Sequence, residues 1–125
     1  RRRAARLGDA WYPGSINPQF RLDTPERLAV AWAEVKQMAE KAKRDPAALG
    51  LTYVVLTPVE WTAQKGHDTP RRIFTGTSAD IAADVAAFAG IGVTHLNLTF
   101  QAATVPESLD RMQRFAEEVM PKIGV

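Results

Sequence analysis

The chain has 125 residues, no cysteine, 46% hydrophobic and 24% charged residues, and a formal net charge of +2. An apolar fraction this high with balanced charge excludes an intrinsically disordered segment, and no run approaches the roughly 18 apolar residues of a membrane helix. Without cysteine there are no disulfides, thiolate metal sites or cysteine nucleophiles, which fits a reducing, cytoplasmic setting.

The length suits a single domain of ~100–150 residues, spanning 1–125. Arg1-Arg2-Arg3 is followed by small and polar residues, not by an apolar core, so no secretory leader is expected. The basic surplus comes from Arg1, Arg2, Arg3 and Arg6. Lys36, Lys41, Lys43 and Arg44 alternate with Glu34, Glu40 and Asp45, as on a solvated helix face. No nucleic-acid partner is expected, because no longer basic stripe or RNA-binding aromatic motif is present.

In chain order, Arg1 to Leu7 reads as the end of a helix, with Gly8 in the C-cap role. Ala10-Trp11-Tyr12 is a short β-prone run that Pro13-Gly14 terminates, and Gly14 to Asp23 reads as loop. Thr24 before Pro25 is a helix start. Leu28, Trp32, Val35, Ala39 and Ala42 then fall on one apolar face, and Asp45-Pro46 stops the helix. Leu51 to Thr57 is a β-branched, nearly continuous apolar run, expected to be a strand covered on both faces.

Pro58 to Thr75 lacks periodicity, and a connection of that length in a compact domain is functional or mobile. Ser78 is placed to cap the next helix, whose apolar face is Ile81, Val85 and Phe88, with Gly90 and Gly92 closing it. Thr94 to Phe100 alternates strictly: His95, Asn97 and Thr99 face one way, Leu96, Leu98 and Phe100 the other. Thr104-Val105-Pro106-Glu107 is a capping box ahead of a last apolar face of Leu109, Met112, Ala116 and Val119. Asp9, Asp80 and Asp84 read as turn and helix-surface carboxylates.

Strands separated by helices of this length predict parallel βαβ units and an α/β fold. The one close glycine pair, Gly90-Ile91-Gly92, precedes a strand, unlike the phosphate turn of a doubly wound sheet. The polar row His95, Asn97 and Thr99 suits the lumen of a (β/α) barrel. A whole barrel needs eight strands and ~250 residues; three strands are visible here.

Arg3-Ala4-Ala5-Arg6-Leu7-Gly8-Asp9-Ala10-Trp11-Tyr12-Pro13 resembles the helix-to-strand junction of luciferase-like flavin- or deazaflavin-dependent oxidoreductases. Phe74-Thr75-Gly76-Thr77 with Asp80-Ile81-Ala82-Ala83-Asp84, and Gly92-Val93-Thr94-His95-Leu96-Asn97-Leu98 with the final helix, are similar to that family in the same order. The resemblance implies the last three strands of a TIM-type (β/α)8 barrel, the C-terminal part of a larger monooxygenase-like protein with a small-molecule substrate. It also implies FMN or deazaflavin in the complete protein, with the phosphate site ahead of Arg1, so this chain alone is expected to bind none.

The C-terminal strand ends of such a barrel face the active site. Trp11 and Gly14 are therefore the expected cofactor-binding residues, and Tyr12, Trp61 and Gln101 the substrate-pocket residues. An alternative anion site is Arg71, Arg72, Gly76, Thr77 and Ser78, where cations stand near a helix N-terminus. His67 and His95 have no metal-ligand spacing, so no metal is expected. Three parallel strands leave two edges and an inner face expected to carry Trp11, Tyr53 and Val55. Self-association, or pairing with a missing N-terminal half, would cover both, which is the non-catalytic alternative.

Overall fold

The computed structural model of the chain describes residues 1–124; Val125, the last residue of the expected domain, lies outside them. In order come α1 (Arg2–Leu7), β1 (Ala10–Trp11), α2 (Pro25–Lys41), β2 (Gly50–Pro58), α3 (Ser78–Ile91), β3 (Val93–Thr99) and α4 (Val105–Arg114). A 3-10 turn occupies Pro46–Ala48, and a π turn and a 3-10 turn, Phe115–Val119 and Met120–Ile123, follow α4. The protein is α/β: the strands form one parallel sheet in the order β1-β2-β3, with Ala10 opposite Gly50 and Trp11 opposite Leu51. The chain divides into one unit of Arg1–Val55 with Ala89–Asn97, and another of Leu56–Phe88 with the residues from Leu98 onward.

In the first unit, Thr24 caps α2 by accepting the Arg27 N–H at 3.3 Å, with Pro25 in the first turn. The expected face is inside: Leu28, Val35 and Ala39 are fully buried and Trp32 nearly so. Trp32 stacks on Trp11 of β1, ring centroids 6.3 Å apart and planes 11° off parallel. Arg44 is not on a solvated face, because its guanidinium donates to the Ala5 carbonyl at 3.1 Å and so caps the C-terminal end of α1. Gly8, which ends α1, has extended backbone (φ −88, ψ 160) instead of a left-handed cap. A Cβ there would lie 3.2 Å from both the Ala4 and Ala10 carbonyl oxygens, a tight approach that glycine relieves.

The reading of β2 as covered on both faces is corrected. Burial alternates along it: Leu51, Tyr53 and Val55 are inside, whereas Thr52 and Val54 are half-exposed and Leu56 is 51% exposed. Trp11, Tyr53 and Val55 are likewise not on the uncovered face; all three are buried, with Trp11 packed on α2. The pleat decides this, because successive side chains leave the sheet on opposite sides and the Leu51, Tyr53 and Val55 side is the buried one. β3 contributes no fully buried residue, and His95 and Asn97 are exposed.

In the second unit, Phe88 of α3 stacks on Phe74 with centroids 5.6 Å apart; both rings are fully buried, as are Ile81 and Val59. Here α4 departs from expectation. Thr104 caps it through the Glu107 N–H, but Val105, Leu109 and Met112 are 72%, 58% and 51% exposed. Of the expected face Leu109, Met112, Ala116 and Val119, only Val119 is buried. Helical spacing made the stripe readable; nothing among the described residues covers it.

Phe88→Ala leaves a cavity under Phe74 and is expected to cost about 3–5 kcal/mol, read as a lower urea midpoint. Tyr53 gives a pH prediction. Its hydroxyl donates to the Leu22 carbonyl, and burial, then the Asp23 charge, raises its pKa well above the ordinary 10. A raised phenol contributes stability that is present below the unfolded value and lost as pH rises past about 10. Circular dichroism should therefore show alkaline unfolding that Tyr53→Phe shifts upward.

Candidate functional site

Site residues fall in two places, one in each unit. In the first unit an open cleft of about 1120 Å³ runs along β1 and α1, lined by arginines of α1 and by Trp11, Tyr12, Gly14 and Phe20. The Arg1 guanidinium pairs with Glu34 and lies over the Trp11 and Phe20 rings, 5.9 and 5.0 Å from their centroids. Tyr12 is 55% exposed, and its hydroxyl accepts from the Asn97 side chain at 2.9 Å. Gly14 pairs with Val54 of β2, which holds the strand end in place. The structure thus brings the expected residues Trp11, Tyr12 and Gly14 to one cleft, although the Trp11 ring is committed to Trp32.

In the second unit a smaller groove, about 470 Å³, lies between the 60–64 segment and α4, lined by Glu60, Trp61, Thr62 and Gln64 with Asp110, Arg111 and Arg114. Arg114 sits 4.8 Å above the Trp61 ring, whose Nε1 donates to Ser78 Oγ at 2.8 Å. Ser78 in turn donates to Glu118 at 2.6 Å, and that bond, then the one from Arg114, lowers the Glu118 pKa. Gln101 is exposed; its carbonyl accepts from Arg111 at 3.1 Å. His67 and His95 are both exposed, and among the described residues no three His, Cys, Asp or Glu side chains gather to hold a metal.

The residues of the alternative anion site do converge, but their charges are matched internally. Arg71 makes a two-pronged pair with Asp84, at 2.8 and 2.7 Å, and also donates to the Thr75 carbonyl. Arg72 pairs with Glu60 at 2.7 Å and donates to the Pro58 carbonyl. Asp84 is therefore no surface carboxylate: it is 7% exposed, and it also accepts the Phe74 N–H at 2.7 Å. That bond holds Phe74 at φ +59, a left-handed conformation that a bulky residue adopts only when its surroundings enforce it. The long connection after β2 is thus pinned by two ion pairs.

The helix start is also corrected from Ser78 to Thr77. The Thr77 hydroxyl accepts the Asp80 N–H at 3.1 Å, and the Asp80 carboxylate accepts the Thr77 N–H at 2.8 Å. This is a reciprocal capping box, readable as Thr77-x-x-Asp80, and it frees Ser78 for Trp61. Gly76, at φ +116, permits it; a Cβ would stand 2.7 Å from the Asp80 carboxylate. The Thr77 backbone N–H, then its hydroxyl, lowers the Asp80 pKa.

The chain matches no known family profile and no curated protein sequence. No helix among the described residues is long and apolar enough to cross a membrane. The residues expected to hold a flavin do not fit one by themselves. Trp11 is 8% exposed with Trp32 stacked on it, and only Tyr12 and Gly14 remain to wall a tricyclic ring.

Asp84→Asn leaves the Arg71 guanidinium without its counter-charge and is expected to cost about 2–3 kcal/mol, with faster proteolysis of the 60–77 segment. Asp80 supplies the acid limb. A lowered carboxylate contributes stability present above its unfolded pKa of about 4 and lost as pH falls through the folded value. Asp80→Asn should flatten the acid unfolding curve measured by circular dichroism.

Proposed function

We propose that the chain forms the last three βα units of a TIM-type (β/α)8 barrel in a luciferase-like oxidoreductase that uses reduced flavin or deazaflavin on a small-molecule substrate. The observation that supports this reading best is a parallel sheet in sequential order, β1-β2-β3, with Leu51, Tyr53 and Val55 buried on β2 and the opposite row half-exposed to exposed. Parallel sheets ordinarily have both faces covered, and a barrel does this by closing the sheet on itself. The Tyr12–Asn97 hydrogen bond joins two residues that this reading assigns to the inner row. In the complete protein the cofactor supplies the electrons, and this chain contributes one sector of the wall through Tyr12 and Gly14. The Trp61 groove, with Gln101 behind Arg111, is the place in the second unit for a substrate contact.

The coding sequence ahead of the Arg1 codon should encode further strand–helix units, and their absence there would overturn the reading. Titrated alone with oxidised and reduced FMN or deazaflavin, the chain should show no saturable change in absorbance or fluorescence. Co-expressed with the preceding segment it should bind. A co-expressed protein that folds but binds neither cofactor counts against the oxidoreductase.

A second reading, a non-catalytic half-barrel that self-associates, is favoured by the exposed stripe of Val105, Leu109 and Met112. Light scattering after size exclusion distinguishes them: a concentration-dependent dimer lost in Leu109→Glu supports association, and a monomer at all concentrations removes it.

A further inference from the structure

We propose that the cleft beside β1 receives an extended acidic chain segment, which adds a strand to the open edge of the sheet while its carboxylates meet Arg2, Arg3 and Arg6. The edge follows from the ladder. The Asp9 and Pro13 carbonyls accept from Gly50 and Val54 at 2.9 and 3.1 Å, and the Ser15 N–H donates to Val54 at 2.9 Å. In a parallel ladder, alternate residues turn their backbone groups to opposite sides, so Ala10, Tyr12 and Gly14 point theirs away from β2. Tyr12 and Gly14 line the cleft, so two residues whose backbone groups turn away from β2 stand beside it at strand spacing.

Charge selects the occupant. Arg1 is taken by Glu34 and the two rings, but Arg2, Arg3 and Arg6, which also line the cleft, have no carboxylate or ring partner among the described residues. Cations beside an edge strand, here on α1, repel another copy of the same edge, and charge at edges is one way proteins guard against edge-to-edge aggregation. They do not repel a strand whose side chains are acidic; they attract it. A small anion would satisfy the guanidinium groups and leave the edge unpaired, whereas an acidic strand satisfies both. The inference uses only the β1 edge and its cleft, so a failed cofactor titration leaves it standing. In a barrel it adds the chemistry that the preceding strand has to carry.

The test is fluorescence anisotropy of the full chain with a labelled peptide of about seven residues alternating Glu and Val. A second peptide carries the same charges but is N-methylated at alternate residues, which removes its ladder hydrogen bonds. The plain peptide should bind saturably, and binding should weaken at least about tenfold in high salt and in the Arg2→Glu, Arg3→Glu, Arg6→Glu triple variant. The N-methylated peptide and a Lys/Val peptide should not bind. Equal binding of the plain and N-methylated peptides, no binding of either, or an unaffected triple variant of unchanged circular dichroism overturns the proposal.

Discussion

A parallel strand buries side chains on both faces or leaves one of them wet, and β2 sets that condition for this protein. Its alternation sends Leu51, Tyr53 and Val55 inward, and α2 brings Leu28, Trp32 and Val35 to bury within the same unit. The Trp11–Trp32 stack fastens β1 to that core, and the Tyr53–Leu22 hydrogen bond ties down the loop between β1 and α2. Thr52, Val54 and Leu56 take the other direction and are half-exposed or exposed. The uncovered row, the open β1 edge and the exposed α4 stripe all raise the same question: what the apolar and backbone groups left over by this packing pair with.

The second unit answers a different problem, holding a long connection still with ion pairs beside the Phe74–Phe88 contact. Asp84 does most of it from inside α3. One carboxylate neutralises Arg71, takes the Phe74 N–H and so stabilises a backbone conformation that phenylalanine avoids. Glu60 does the same for Arg72 at the other end of the connection. Because charge-assisted hydrogen bonds are strong when partly shielded from water, two such pairs reinforce the Phe74–Phe88 contact in holding the segment. The same pairing means that two cations prominent in the sequence have their counter-charge within the chain.

The chemistry-bearing residues divide accordingly. Trp11, an aromatic at a strand end, supports packing, whereas Tyr12, one residue on, faces solvent and meets Asn97. Ser78 relays between Trp61 and Glu118, while the helix-start task belongs to Thr77. In each case neighbouring residues of similar chemistry exchange the roles that composition alone would assign. The cleft in the first unit collects Arg2, Arg3 and Arg6, which have no carboxylate or ring partner among the described residues, and the groove in the second unit mixes both signs around Trp61.

The sequence by itself determined the order of elements, the α/β class, the Thr24 and Thr104 caps and the inner face of α2, because these depend on local spacing and local hydrogen bonds. The tertiary structure decided what local pattern leaves open. A nearly continuous apolar run looks the same whether one face or two are covered, so the exposure of Leu56 was unreadable. The burial of Asp84 depends on Arg71, thirteen positions away on another element, and the role of Arg44 on carbonyls of α1, about forty positions away. The Thr77–Asp80 box was written in the sequence, but Ser78 beside it offered the same local chemistry. Periodicity tells which side chains share a face; only the packed chain tells whether anything lies against that face, because burial is a property of the neighbours and not of the residue.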